Sequence, residues 1–328
     1  MITESSLIGF LKSEFSDENG IGDDCAILPL DEKTSYVVSK DLLLENVHFD
    51  LSYTKPKDLA YKALHVNLSD IAAMGAKPLF VFLGLSIPLS HQNYAKSFLK
   101  EFASICKKED VILLGGDTTA SKDGLFLSVT VIGAGPTSLL KRRNSARPGD
   151  ILAVAGNCGF AHIGWKLLEL EQDVFGYDDF RSAFLNPFAK VQEGLFLKEY
   201  KQVHAMMDIS DGLYLDTLKL CKASNVCAKF EIAELSEGFL EACDTLSLCP
   251  IETFLSGGED YALLVSIEPD SFEEISQAFK KTLAYDLKKV GTVEEISAFP
   301  KKPLIRIFNN GEEIFPNINP FTHFGEKP

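Results

Sequence analysis

Residues 56–78 of the chain read PKDLAYKALHVNLSDIAAMGAKP. Pro56 and Asp58 open it, Asp58 as a helix cap, and no breaker interrupts the run before Gly75. Pro78 stands just beyond, so the spacing predicts one long helix over 58–74. Strand-like runs flank it, from Tyr36 to near Asp41 before and from Leu79 to Ile87 after. The alternation continues outward. A helix is predicted at 4–15, followed by a glycine-rich loop at 20–24 and an apolar run at 25–28. A second helix follows at 91–108, then a short β-type run, Val111 to Leu114, broken by Gly115-Gly116. Leu125 to Ile132 reads as a strand closing at Gly133 and Gly135. After the turn Arg147-Pro148-Gly149-Asp150 a strand restarts at Ile151. Beyond it, helices are predicted at 160–171, 187–200, 213–224 and 270–280, and strands at 226–232, 261–267, 287–293 and 304–308. Asn309-Asn310-Gly311 reads as a hairpin turn. The predicted class is α/β (α+β) in two domains, 1–140 and 141–328, with the change of texture falling between about residues 136 and 148.

Length and composition agree with that division. A chain of 328 residues exceeds what one ordinary core takes, and 46% hydrophobic with 24% charged residues is globular composition. No apolar run is long enough for a membrane span. The N-terminus lacks the basic start and cleavage site of a signal peptide. The seven cysteines are scattered and form no C-x-x-C pair, so a reducing, cytoplasmic setting is expected. The six histidines are too widely spaced for a zinc signature. A net charge of −15 speaks against nucleic acid and acidic membrane as partners.

The P-loop, the dinucleotide-binding glycine fingerprint, the protein-kinase motifs and the nucleophile elbow are all absent. What recurs instead is Asp beside Gly where strands or loops end. Gly22-Asp23-Asp24, Asp41, Gly115-Gly116-Asp117-Thr118-Thr119, Asp208-Ile209-Ser210-Asp211-Gly212 and Gly257-Gly258-Glu259-Asp260 all show it. Any one of these is explained by turn formation or helix capping. Five in one chain point elsewhere. Magnesium pairs a few carboxylates with substrate phosphates, and glycines let backbone amides approach those phosphates. Asp70 lies inside the predicted helix among apolar neighbours, with Asn67 on the same face. Either it bonds locally or reaches solvent, or it is a metal ligand held rigidly by the helix.

These motifs, in this order and spacing, resemble the thiamine-monophosphate kinase family over nearly the whole chain. The first is Gly20-Ile21-Gly22-Asp23-Asp24-Cys25-Ala26 and the second Asn67 to Ala76. Gly115 to Thr119, Asp208 to Gly212 and Ser256 to Tyr261 complete the set. The resemblance implies the two-domain aminoimidazole ribonucleotide synthetase-like fold, with the N-terminal domain pairing in a homodimer. It implies transfer of the ATP γ-phosphoryl group to thiamine monophosphate, giving thiamine diphosphate and ADP, with several Mg2+ ions between the substrates. By matching motif, Asp24, Asp41, Asp70, Asp117 and Asp208 would hold magnesium, Asp211 a further ion, and Ser39 and Lys40 would also face metal. Asp24, Asp70 and Asp211 would carry the catalysis. Gly116, Asp117, Arg143 and Ser210 would serve ATP, and His48, Glu259 and Phe321 the thiamine substrate. Arg143 also reads as a surface arginine in a basic run, and Phe321 as core packing.

Three positions depart from the family pattern: Lys40 where Thr is usual, Asn46 for Gly, and Ala262 for Glu. On a strand, Lys40 points away from the face of Ser39 and Asp41. Its ammonium then either reaches solvent or swings in to replace a bound cation. The alternatives to the kinase reading are another ATP-using enzyme of the same superfamily and a nonenzymatic nucleotide-binding regulator. A reactive N-terminal cysteine or a C-terminal cysteine tail would favour two of those relatives, and this sequence has neither.

Overall fold

The computed structural model describes residues 4–15, 20–170, 176–232, 234–296 and 304–318. Its first part runs α1 (Glu4–Glu14), β1 (Ala26–Pro29), β2 (Thr34–Leu44), α2 (Pro56–Ala73), β3 (Lys77–Pro88), α3 (Gln92–Lys108), β4 (Ile112–Ser121) and β5 (Phe126–Pro136). The second begins β6 (Ile151–Ala155), α4 (Phe160–Glu169), α5 (Asp178–Leu185), α6 (Val191–Leu197), β7 (Val203–Ile209), α7 (Leu213–Ser224) and β8 (Val226–Ile232). It continues α8 (Glu237–Thr245), α9 (Pro250–Ser256), β9 (Ala262–Ile267), α10 (Pro269–Leu283), β10 (Lys288–Glu295), β11 (Ile305–Asn309) and β12 (Glu312–Ile314).

Two sheets result. The first has the order β1-β2-β5-β3-β4, antiparallel except for the parallel pair β3 and β4. The second has the order β12-β11-β8-β10-β6-β9-β7, parallel only between β11 and β8. The helix at 56–73 lies between them. Thirteen of its eighteen residues are buried, which is why it shows no clean polar stripe. Leu59, Leu64 and Ile71 pack into the core of the first sheet, while Ala72 and Ala73 join Met206, Leu263 and Val265 beside the second. Close contact is secured by Gly194 of α6, where a Cβ would stand 2.1 Å from the Ala72 carbonyl oxygen.

Several expectations need correction. Asp58 does not cap α2: Lys55 holds the cap position, and Asp58 accepts a bond from Asn186 Nδ2 at 3.2 Å. Gly115-Gly116 does not break a strand. β4 runs through the pair: it bulges at Leu114, the extra residue set against Val81 and Phe82 of β3, and a Cβ on Gly116 would lie 1.7 Å from the Leu83 carbonyl oxygen. β2 extends past Asp41 to Leu44, since all eleven of its residues pair with β5. The helix expected over 187–200 is confined to Val191–Leu197. The hairpin turn stands as expected. Asn309 pairs with Glu312, and Asn310 and Gly311 take φ of 52° and 80°.

Candidate active site

The ends of β2 and β7, one face of α2 and one face of α4 enclose a cavity of about 1080 Å³. That is at the upper end of the range for ligand pockets. Asp41, His48, Asp70, Asp208, Ser210, Asp211 and Glu259 all line it. Residues predicted from motifs far apart in the chain therefore meet in one place.

Two of these wall residues, Asp70 and Asp208, gather with Asp24, each offering a carboxylate oxygen, all within 4.8 Å of one another. Each comes from a different element. Asp24 ends the glycine loop before β1, Asp70 projects from α2, and Asp208 lies near the end of β7. Each carboxylate is also held by a neighbour. Ser39 Oγ donates to Asp70, Ser69 Oγ donates to Asp208 at 3.0 Å, and Arg143 donates to Asp24. Asp24 Oδ2 is buried without a hydrogen-bond partner.

Burial pushes the carboxyls of all three upward. For Asp24 the Arg143 guanidinium opposes this, leaving it at about 6. The Asp70 carboxyl is raised well above its usual range by burial, then by Asp41, Asp208 and Asp24. Burial, then Asp24 and Asp216, do the same to Asp208. Asp41 is lifted to about 6 by burial and by Glu259. A group of like charges with an unpartnered buried oxygen is what a hard divalent cation satisfies, and the all-oxygen donor set fits magnesium.

The Gly257–Tyr261 loop is fastened beside Asp208, to the end of β7 and the turn after it. Glu259 N donates to Ser210 O at 2.7 Å, and Tyr261 N donates to Ile209 O at 2.9 Å. Glu259 and Tyr261 both hold left-handed backbone, with φ of 69° and 50°. Such conformations persist where surrounding contacts impose them, often at functional sites. Lys62, 2% exposed in the middle of α2, meets Glu259 Oε2 at 2.5 Å, and Tyr261 OH donates to Glu259 Oε1 at 3.3 Å. Asp260 turns away from the cavity and accepts bonds from Gly159 N at 2.6 Å and Ala161 N at 2.9 Å, so it serves the start of α4. His48 lines the cavity with Nδ1 accepting from Leu44 N at 3.1 Å.

Not every predicted residue joins this group. Gly116 and Asp117 stand exposed on edge strand β4 and do not line the cavity within one chain. The Lys40 side chain points to the opposite face of β2, where its ammonium meets Ser128 Oγ at 2.5 Å, so only its backbone remains near the site. Phe321 lies outside the described residues. The departure at Asn46 has a physical explanation: its φ is 65°, a conformation suited to glycine that asparagine tolerates. Ala262 is fully buried at the start of β9 against Gly156.

Sequence reasoning missed Ser69, which ties α2 to Asp208, and Lys62, which holds Glu259. It also missed Asp216 and Lys219. Asp216 is wholly buried, and its Oδ2 accepts from Ser210 N at 3.0 Å and Asp211 N at 2.9 Å. Only the i,i+3 spacing of Asp216 and Lys219 was visible beforehand, as an ordinary helix pair.

The comparisons with known proteins agree with this architecture. The profile of AIR synthase related protein, N-terminal domain, matches residues 22–134. The thiamine-monophosphate kinase of Buchnera aphidicola subsp. Schizaphis graminum is 31% identical over 317 residues, covering 95% of this chain and 94% of that one. The enzyme of that name in Bacillus subtilis is 33% identical over 281 residues, 84% and 85% of the two chains. Among solved structures, AaThiL complexed with AMPPCP and TMP superposes with a TM-score of 0.83 at 28% identity, covering 98% of this chain and 97% of that one. The clustered carboxylates, the two-sheet fold and full-length similarity lead to one assignment: this chain belongs to the thiamine-monophosphate kinase family.

Proposed function

We infer that this chain transfers the γ-phosphoryl group of ATP to thiamine monophosphate, giving thiamine diphosphate and ADP. The observation that carries the reading is the Asp24–Asp70–Asp208 cluster, two of whose members line a cavity of about 1080 Å³, in a chain of this family. Phosphoryl transfer asks the protein mainly to position two phosphates and to neutralise charge. Magnesium, when bound, supplies that neutralisation, and Asp24, Asp70 and Asp208, with Ser39 and Asp41 beside them, would hold it.

The remaining steps belong to the chain itself. Arg143, which stands against Asp24, would meet a nucleotide phosphate. Ser210 lines the same cavity, at the β7–α7 turn. Tyr53, Trp165 and Phe184 give the cavity an aromatic side, which suits a flat cationic heterocycle, and His48 and Glu259 stand near them as orienting groups. We take transfer to be direct and in line, with no phosphoenzyme. No cysteine lines the cavity.

A homodimer is part of the same proposal. The outer face of the first sheet exposes Leu28, Leu42, Phe82 and Phe126, and Ile112, Leu113 and Leu114 of β4 are exposed beside them. Apolar patches of that kind mark interfaces. Gly116 and Asp117 lie on the same strand and would serve nucleotide and metal from the interface. The division into 1–140 and 141–328 also remains our reading, as does a cytoplasmic setting. Among the described residues no helix is long and apolar enough to cross a membrane. A single-turnover experiment with γ-labelled ATP tests the function. Label should pass to thiamine monophosphate and none should stay on protein. Binding of ATP without transfer would leave only a nucleotide-binding regulator.

A further inference from the structure

Lys219 stands where the family resemblance puts a cation. Its Nζ lies 2.5 Å from Asp211 Oδ2 and 2.7 Å from Asp216 Oδ1. Asp211 and Lys219 both line the cavity, and each is 36% exposed on its side chain. Asp216 is fixed completely: one oxygen takes two backbone amides of the β7–α7 turn and the other takes the ammonium. The lysine is thus anchored from below by a buried carboxylate and presented upward to Asp211. A divalent ion on Asp211 would have to share its ligand oxygen with a positive charge already bonded to it. The residues at this point therefore do not fit a further metal ion in the way those around Asp24, Asp70 and Asp208 do. Lys40, the other lysine beside a metal-binding motif, has its ammonium on the far face of the sheet.

We propose that Lys219 is a built-in counter-charge that takes the place of a divalent ion at Asp211, so the site binds one ion fewer than its aspartates would allow. The ammonium then remains in the cavity as a compact cation for a substrate phosphate, which lysine meets as a point charge. This deepens the kinase reading and rests on it for the identity of the phosphate ligands.

The test counts manganese ions on the full chain without nucleotide, by electron paramagnetic resonance and calorimetry. The variants are Lys219→Met, Lys219→Arg and Asp211→Asn. Lys219→Met should bind one more ion than the unaltered chain, and Lys219→Arg the same number. Asp211→Asn should keep the stoichiometry and affinity of the unaltered chain within about twofold. That variant keeps Lys219 on Asp216, so it also covers the case in which Lys219→Met fails to fold. Loss of an ion in Asp211→Asn, or no added ion in folded Lys219→Met, overturns the proposal. If the unaltered chain binds no manganese, the carboxylate cluster fails and this inference with it. Failure of labelled phosphoryl transfer with the ion count as expected would remove the kinase reading alone.

Discussion

Asp70→Asn separates the two roles of the carboxylate cluster, because it should stabilise the fold while abolishing the chemistry. The amide is nearly isosteric and can still accept the Ser39 hydroxyl that now donates to Asp70. What disappears is charge. Its carboxylate oxygen lies within 4.8 Å of those of Asp24 and Asp208. At that spacing and an effective dielectric of about 20, each repulsion is about 3.5 kcal/mol, or about 7 kcal/mol for the two. Partial protonation within the cluster offsets most of this, leaving a net relief of about 2 kcal/mol. For a chain of this size that raises Tm by about 3 °C in EDTA. Magnesium should then raise the Tm of the unaltered chain but not of the variant. Phosphoryl transfer should fall by about two orders of magnitude or more, the scale on which lost transition-state electrostatics tells. The assays are thermal melts at pH 7.5 with EDTA or magnesium, and steady-state product formation. A folded variant with a lower Tm in EDTA, or with near-normal turnover, would refute the reasoning.

Three further outcomes follow from the same geometry. Lys40→Thr should leave the magnesium concentration for half-maximal rate almost unchanged, since the ammonium bonds Ser128 on the other face of β2; a marked upward shift in a magnesium titration at saturating ATP would contradict this. Gly194→Ala should cost about 1–3 kcal/mol and reduce turnover, because the new methyl meets the Ala72 carbonyl, two residues from Asp70; an unchanged urea midpoint would show that α6 slides freely on α2. Burial, and then Lys108, hold the His65 imidazole down at about 3, below its ordinary 6.5, although Glu109 Oε1 lies 3.7 Å from Nε2. A depressed histidine stabilises the fold fully above pH 6.5, and this contribution is lost as pH falls toward 3, by about 1.4 kcal/mol per unit. His65→Gln should therefore lose less stability than the unaltered chain between pH 6.5 and 5 in urea unfolding, and parallel losses would count against it.

The sequence patterns foretold most of the scaffold where the signals were local. The helix at 213–224 and the strand at 226–232 fall on the residues expected, each bounded by its own turn chemistry. β7 went unnoticed because Val203-His204-Ala205-Met206-Met207 has little β-branched character; burial and pairing with β9, not propensity, make it a strand. α8 and α9, nine and seven residues long, are too short for periodicity to stand out. In the site, aspartates beside glycines were legible because residue type alone suggests the chemistry. Of the basic partners, Arg143 was legible only as an ATP contact through the family resemblance, its pairing with Asp24 was not, and Lys219 was missed. Arg143 meets Asp24 across a separation of 119 residues, and Lys219 reaches Asp211 only because the intervening turn folds back over the start of α7.

The helix at 56–73 has a consequence for how the molecule comes apart. Its apolar cover is shared, with Leu64 and Ile71 packed on one sheet and Ala72 and Ala73 on the other. Ser69 adds a hydrogen bond to Asp208, fully buried at the seam between them. Loosening either sheet strips part of the shield from the same helix, so the two layers should lose protection together rather than in sequence. Amide exchange along residues 59–73 would then report a single opening event common to both sheets. A nascent chain would also finish burying this helix only once the strand carrying Asp208 has been made, which ties completion of the catalytic centre to completion of the protein.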